Sequence, residues 1–236
     1  MKLKPLAISY CLTLILCACG GGSGGDSTGP MAERQFNGTV SSVEAIYTPE
    51  QLDAIQQLGL TLNLGDSPPN IEGNYLLSPT ILQASSVPDE PVEIGNEVND
   101  ASFSVTNQNT ATLTADLFLQ EILGPDQGET RGTGSFISGS GSLFTIYFVT
   151  ETDYGDGALA DTSITISGAI SALGIENVQM AAFVLDDRGD DTFIPSNTGR
   201  ILIDGDGLAA RLSVSSSDLT AQSHVVSYSG LFSQNE

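Results

Sequence analysis

Three aspartate-rich stretches hold the side chains best suited to chemistry. Asp153-Tyr154-Gly155-Asp156-Gly157, Asp186-Asp187-Arg188-Gly189-Asp190-Asp191 and Asp204-Gly205-Asp206-Gly207 each set closely spaced carboxylates on glycine-containing turns. Calcium takes six to eight oxygen ligands, and such turns can supply several of them. Asp204 and Asp206 are the candidate calcium pair, because the apolar run Ile201-Leu202-Ile203 would fix the root of their loop and Gly205 and Gly207 permit a sharp turn. The loop is not an EF-hand: its twelfth position is Ser215, where that motif needs glutamate. The alternative is plain turn chemistry, since Asp-Gly and Asp-Asp pairs connect antiparallel strands.

Catalysis finds few other components. The chain has one histidine, His224, in Ser223-His224-Val225-Val226. A nucleophilic triad needs a serine, a histidine within reach and a carboxylate that orients the ring. Serine and aspartate are plentiful, but no Gly-x-Ser-x-Gly elbow between a strand and a helix accompanies them. His224 is therefore expected as a strand or surface residue, and one histidine offers too few partners for a zinc site. Gly20-Gly21-Gly22-Ser23-Gly24-Gly25 matches G-x-G-x-x-G in letters, without the strand and helix that make a phosphate-binding turn. Carboxylate pairs suited to glycoside hydrolysis exist in any acidic chain, but the chain has no tryptophan to stack on a sugar ring. The reading is a non-enzyme with no cofactor, calcium being the one candidate ion.

The elements that must position these residues read mostly as strands. Residues 34–43 alternate weakly and suggest a first strand. Thr48-Pro49-Glu50-Gln51 opens a helix: threonine as N-cap, proline at the first helical position, and Gln51 completing a capping box. Leu52, Ile55, Leu58 and Leu60 form its apolar stripe and Gly59 its stop. Pro68-Pro69 predicts an extended connector. A strand follows over 71–77, and the proline-bearing acidic stretch 85–100 reads as an exposed loop. From there alternating segments follow one another: 102–107, 112–119, 134–138, 143–150, 163–168, 175–186, 199–203, 208–214 and 223–229. Gly139-Ser140-Gly141 marks a hairpin. Leu143, Thr145, Tyr147 and Val149 share one face of their strand and Phe144, Ile146 and Phe148 the other, so that strand is expected to be buried on both sides. Turn signals every 8–12 residues with no intervening helices predict an all-β fold, an antiparallel barrel or sandwich with one short N-terminal helix. Phe36, Tyr75, Phe103, Phe118, Phe136, Phe144, Tyr147, Phe148 and Phe183 are expected in its core.

Residues 1–19 carry the address. Lys2 and Lys4 precede an apolar run from Pro5 to Leu16, shorter than the roughly 20 residues a helix needs to span a bilayer. This is the pattern of a cleaved signal. Leu16-Cys17-Ala18-Cys19, followed by the glycine-serine run, resembles the lipobox of bacterial lipoproteins. The resemblance implies cleavage before Cys19 and acylation of Cys19, with Cys17 as the alternative. Gly20, where that family uses aspartate to retain a protein at the inner membrane, implies the outer membrane. Residues 1–18 are thus the signal peptide, 19–32 a flexible tether, and 33–236 a single antiparallel β domain. All cysteines lie in this stretch (Cys11, Cys17, Cys19), so acylation of Cys19 would leave the mature chain without a thiol.

Charge narrows the partners. The whole chain carries a formal −22. Loss of the leader removes both lysines and leaves Arg34, Arg131, Arg188, Arg200 and Arg211 against 29 acidic residues. Such a surface repels nucleic acid and anionic headgroups, so neither is expected as a partner, and the membrane is expected to be reached through the lipid anchor. Gly73-Asn74-Tyr75 resembles the first-strand signature of lipocalin-type barrels, with tyrosine where that family has tryptophan. The run from Pro68 to Pro79, with Gly139-Ser140-Gly141, is similar to a group of uncharacterised bacterial lipoproteins, which implies a compartment and a β fold but no activity. Two functions fit. The first is a non-catalytic binding module for a small apolar or amphipathic ligand. The second is a structural or assembly lipoprotein that binds an envelope protein partner.

Overall fold

The structure, a computed structural model, describes residues 36–121, 129–153, 159–213 and 231–233. Two short helices, α1 (Val40–Val43) and α2 (Pro49–Gln57), precede the strands. These are β1 (Asp66–Ser67), β2 (Gly73–Leu77), β3 (Thr80–Ser85), β4 (Glu97–Val98), β5 (Ala101–Asn109), β6 (Thr114–Glu121), β7 (Glu129–Ser140), β8 (Leu143–Asp153), β9 (Leu159–Ile170), β10 (Gly174–Asp186), β11 (Thr198–Asp204) and β12 (Leu208–Leu212). The all-β expectation is borne out. Nearly every pairing is antiparallel, the exception being β1 on β7.

The hydrogen bonds run in a closed ring. From β2 they pass through β5, β6, β7, β8, β9 and β10 to β12, and β12 pairs back onto β2. β3 extends β2 past the Ser78-Pro79 corner, and β11 runs into β12 through the Asp204–Gly207 turn, because β3 pairs β11 just as β2 pairs β12. β4 and β5 likewise form one bent strand along them. The result is a sequential up-and-down order in which consecutive strands are neighbours and the first meets the last.

Alternation sorts the side chains into two cores. Tyr75, Leu77, Phe103, Val105, Leu117, Leu119, Ile137, Phe144, Ile146, Phe148, Ile164, Ile166, Met180, Val184 and Leu202 are buried together inside the ring. Ile71 joins them from one end; Val87, Val92, Phe193, Ile194 and Phe232 join from the other. The second core lies on the outer face of β7 to β11, where Phe136, Tyr147, Ala181, Phe183 and Ile201 pack against Phe36, Val43, Tyr47, Leu52, Ile55 and Leu60. Each buried aliphatic or aromatic side chain contributes roughly 1.5–3 kcal/mol. The double-sided burial expected for β8 holds from Phe144 to Phe148 and is explained by these two layers, while Leu143 is exposed and Val149 half-buried.

The helix expectation also holds. Thr48 accepts from the Gln51 N–H and the Gln51 side chain accepts from the Thr48 N–H, with Pro49 opening the helix and Gly59 following it at φ 97°. Leu52 and Ile55 turn inward over the outer face of β10. The strand expected over 34–43 is corrected for its described part. Asn37 Oδ1 accepts from both the N–H and the hydroxyl of Thr39, and the Thr39 carbonyl accepts from Ser42 and Val43. That local bonding starts α1, so the described residues hold two short helices, not one. Phe118, expected in the core, is half-buried. The segment 223–229, expected as a strand, lies outside the described residues.

The N-terminal segment is held to the wall by polar groups as well. The Tyr47 hydroxyl bonds Thr165 Oγ1 at 2.6 Å. The Asn63 N–H donates to Thr145 Oγ1 (2.8 Å), its side-chain amide donates to the Phe144 carbonyl and to Ser167, and its carbonyl accepts from Ser138. Below them three glycines touch backbone to backbone: the Gly65 N–H donates to Gly38 O (2.9 Å) and the Gly139 N–H to Gly65 O (3.0 Å). A Cβ on Gly139 would lie 2.2 Å from Leu143 O, so only glycine fits there. The Pro68-Pro69 connector then crosses to β5, where the Gln108 side chain accepts from the Ile71 N–H and donates to Pro69 O.

Candidate functional site

The candidate calcium pair sits where the wall bends. Three adjacent strands are irregular at one height: β2–β3 at Ser78-Pro79, β4–β5 at Asn99-Asp100, and β11–β12 at Asp204–Gly207. Next to them β10 slips register between Glu176 and Gln179, with Asn177 at φ 49°. Such bulges turn a sheet sharply, but they leave ladder donors without partners.

Two carboxylates take those donors. Asp204 Oδ2 accepts the Ser78 N–H at 3.0 Å, and Asp204 Oδ1 accepts the Asp206 N–H at 3.1 Å. Asp100 accepts the Ser78 hydroxyl (2.7 Å) and the Thr80 N–H (3.2 Å). The turn is completed by the Gly205 N–H on Pro79 O and the Asn177 N–H on Gly207 O. Asp204 is buried and Asp206 exposed. Burial, then a hydrogen bond with the Asp206 side chain, raises the Asp204 pKa against the two N–H donors that lower it. The structure therefore brings Asp204 and Asp206 together, with both Asp204 oxygens already accepting backbone N–H groups. Among the described residues no group of three or more His, Cys, Asp or Glu side chains gathers in metal-binding geometry.

The second acidic cluster is a turn. The Asp187 carboxylate accepts the N–H groups of Gly189 and Ser196, and these, Gly189 first, lower its pKa. Asp186 accepts from the Arg188 N–H and Asp190 from the Thr192 N–H. The Arg188 guanidinium reaches Asp161 at 2.5 Å and Glu151 at 2.7 Å, which raises its own pKa. Of the third cluster only Asp153, the last residue of β8, is described; 154–157 lie outside the described residues, as do His224 and Cys19.

Sequence reasoning missed the buried ion pair. Arg200 faces inward on β11 and forks onto Glu90, Nε to Oε2 at 2.9 Å and a terminal nitrogen to Oε1 at 3.1 Å, with both side chains about nine-tenths buried. Its remaining nitrogen donates to Leu231 O at 3.0 Å, and Ile194 N–H donates to Phe232 O. The pair thus holds residues 231–233 over one end of the inner core. Burial opposes the Glu90 charge, but Arg200 and Ser85 outweigh it and the pKa falls. An arginine among apolar strand residues was the available signal. At the opposite end Arg211 lies over the Tyr75 ring (5.1 Å to the centroid), bonds its hydroxyl at 2.9 Å and reaches Glu72 O. Gly73 makes room for it, since a Cβ there would meet the guanidinium at 2.7 Å.

These sites tie the fold together: Glu90, Asp100, Asp187, Asp204, Arg188, Arg200 and Arg211 are each engaged by backbone or by an opposite charge. Comparison with protein-family models, curated proteins and solved structures finds no match for the chain.

Proposed function

We propose that the mature chain is an outer-membrane lipoprotein, acylated on Cys19, whose ring of strands is a closed, lipocalin-like barrel used as a rigid, non-catalytic module for binding an envelope protein partner. The lipobox Leu16-Cys17-Ala18-Cys19 supports the anchor, and several acyl chains make such an anchor stable where one is marginal. The sequential strand order and the β12–β2 seam support the barrel. The observation that carries the assembly reading is the close-packed core inside the ring among the described residues. Tyr75 stacks on Phe103 at 5.1 Å, and Phe144, Phe148, Ile164 and Met180 are buried together in the same cluster. Binding through the outer wall leaves that core intact.

Native mass spectrometry of the chain extracted from its membrane tests this. The expected mass is that of the acylated polypeptide alone. A copurifying small apolar molecule would overturn the assembly reading in favour of a ligand carrier. Metabolic labelling with a fatty-acid analogue tests the anchor: Cys19→Ala is expected to abolish labelling, and equal labelling of the variant would remove Cys19 from the argument.

A further inference from the structure

We propose that the end of the ring formed by the β5–β6, β7–β8 and β9–β10 turns rests on the lipid surface, with the acidic end pointing away. The inference rests on the Cys19 anchor and adds an orientation to it.

Charge is divided along the ring axis. The three turns at this end, Thr110-Ala111-Thr112-Leu113, Gly141-Ser142 and Ser171-Ala172-Leu173, contain no charged residue. The connections at the other end are acidic on balance: Asp89, Glu90 and Glu93 between β3 and β4, and Asp187, Asp190 and Asp191 with the single cation Arg188 between β10 and β11. Anionic headgroups repel such an end and tolerate the other.

Apolar exposure follows the same division. Leu173 is 71% exposed and Leu143 48%. They lie on adjacent turns, since Leu143 pairs with Ala169 and the Ile170 N–H donates to Ser142 O. Leu64, 36% exposed, precedes Gly65 in the glycine contact with Gly139 beside the same turn. Scattered exposed leucines need no explanation; leucines gathered on uncharged turns form a surface suited to a headgroup boundary. The charged residues nearest this end, Asp66, Glu72, Asp116, Glu176 and Arg211, belong to strands or to the proline connector and not to the turns. Ile94, 53% exposed between Glu93 and Glu97, is the exception to the pattern.

The entry of the chain agrees. Phe36 is the first described residue, and two residues later the Gly38 carbonyl joins the Gly65–Gly139 contact at this end. A Gly/Ser-rich segment of the length between Cys19 and Phe36 reaches roughly 20–25 Å. An acylated Cys19 would therefore hold this end nearer the lipid than the acidic one.

The test uses the mature acylated chain in phosphatidylcholine vesicles. With Cys19 acylated, a cysteine introduced by Leu173→Cys, or separately Leu143→Cys or Asp191→Cys, takes an environment-sensitive fluorophore at one position. All three sites are solvent-exposed, so the core is untouched. Labels at 173 and 143 are expected to shift to the blue and to lose most of their emission when the lipids carry brominated chains, while the label at 191 does neither. Equal quenching at 173 and 191, or none at 173 and 143, overturns the orientation. Flotation of the same vesicles with wild type and Cys19→Ala separates the two ideas. If wild type floats and Cys19→Ala does not, the anchor stands whatever the labels report. If wild type does not float, both fall.

Discussion

Asp204 Oδ2 accepts the Ser78 backbone N–H at 3.0 Å across the seam where the last ring strand meets the first. A side chain here replaces a carbonyl that the bend has carried out of register. Asp204→Ala leaves that donor without its partner and is expected to cost about 1–3 kcal/mol in urea unfolding. The pH dependence has a definite sign. The folded pKa of Asp204 is raised, so its stabilising contribution is complete below the unfolded value near ~3.9 and declines as pH rises through the folded value. The stability gap between wild type and Asp204→Ala should therefore shrink from pH 4 to pH 7. Thermal midpoints with millimolar calcium and with chelator should agree for wild type and for Asp204→Asn/Asp206→Asn alike; a shift confined to wild type would make the pair a calcium site.

Arg200 and Glu90 respond to acid in the opposite sense. The Glu90 pKa is lowered, so its contribution is present above the unfolded value of ~4.3 and is lost as pH falls through the folded one. Arg200→Ala should cost about 3–5 kcal/mol, because it strands a buried carboxylate. Arg200→Met/Glu90→Leu should cost distinctly less. Chemical denaturation of the three chains at pH 7 checks the order.

Tyr147 reports on the outer core. Burial pushes its hydroxyl up to about 12, with Ser138 as a bonding partner. In an ultraviolet titration, wild type and Tyr147→Phe should show nearly the same tyrosinate absorbance at pH 10.5, where a free phenol with a pKa of ~10 is mostly ionised. A clear deficit in the variant at that pH would mean that the N-terminal segment does not seal this face.

Gly139 and Gly141 differ by what surrounds them. Gly139 has φ 152° and the Leu143 carbonyl oxygen 2.2 Å from a would-be Cβ, whereas Gly141 has φ 65° and open space. Gly141→Ala should cost about 1 kcal/mol, the ordinary penalty of the left-handed region. Gly139→Ala should cost about 3 kcal/mol or more and should loosen the N-terminal segment through Gly65. Hydrogen exchange at residues 61–67 reads the second effect.

Local signals in the sequence carried the walls of the fold but not its closure. The capping box at Thr48 and Gln51 and the two apolar faces of β8 are set by neighbours a few residues away, and both hold. The ring depends on Arg211 meeting Tyr75 and on Leu76 pairing with Ala210, contacts that no local period encodes. The Asp204 turn was legible as a turn, because Asp-Gly chemistry is local. Its carboxylate's use of Ser78 was not, because that depends on two bends falling opposite each other. α1 was misread because Asn37 and Thr39 act through side-chain bonds that alternation does not register.

The β12–β2 seam also has a kinetic consequence. Gly73–Leu77 must wait for residues near 210 before its second edge is paired, so closure is among the longest loops the chain can form. Contacts of such sequence separation slow folding. Until then two strand edges stand open, a template for pairing with another chain. A polypeptide released before residue 208 would present both edges permanently. Full-length chains should therefore refold in one late, slow step, and truncated ones should associate edge to edge.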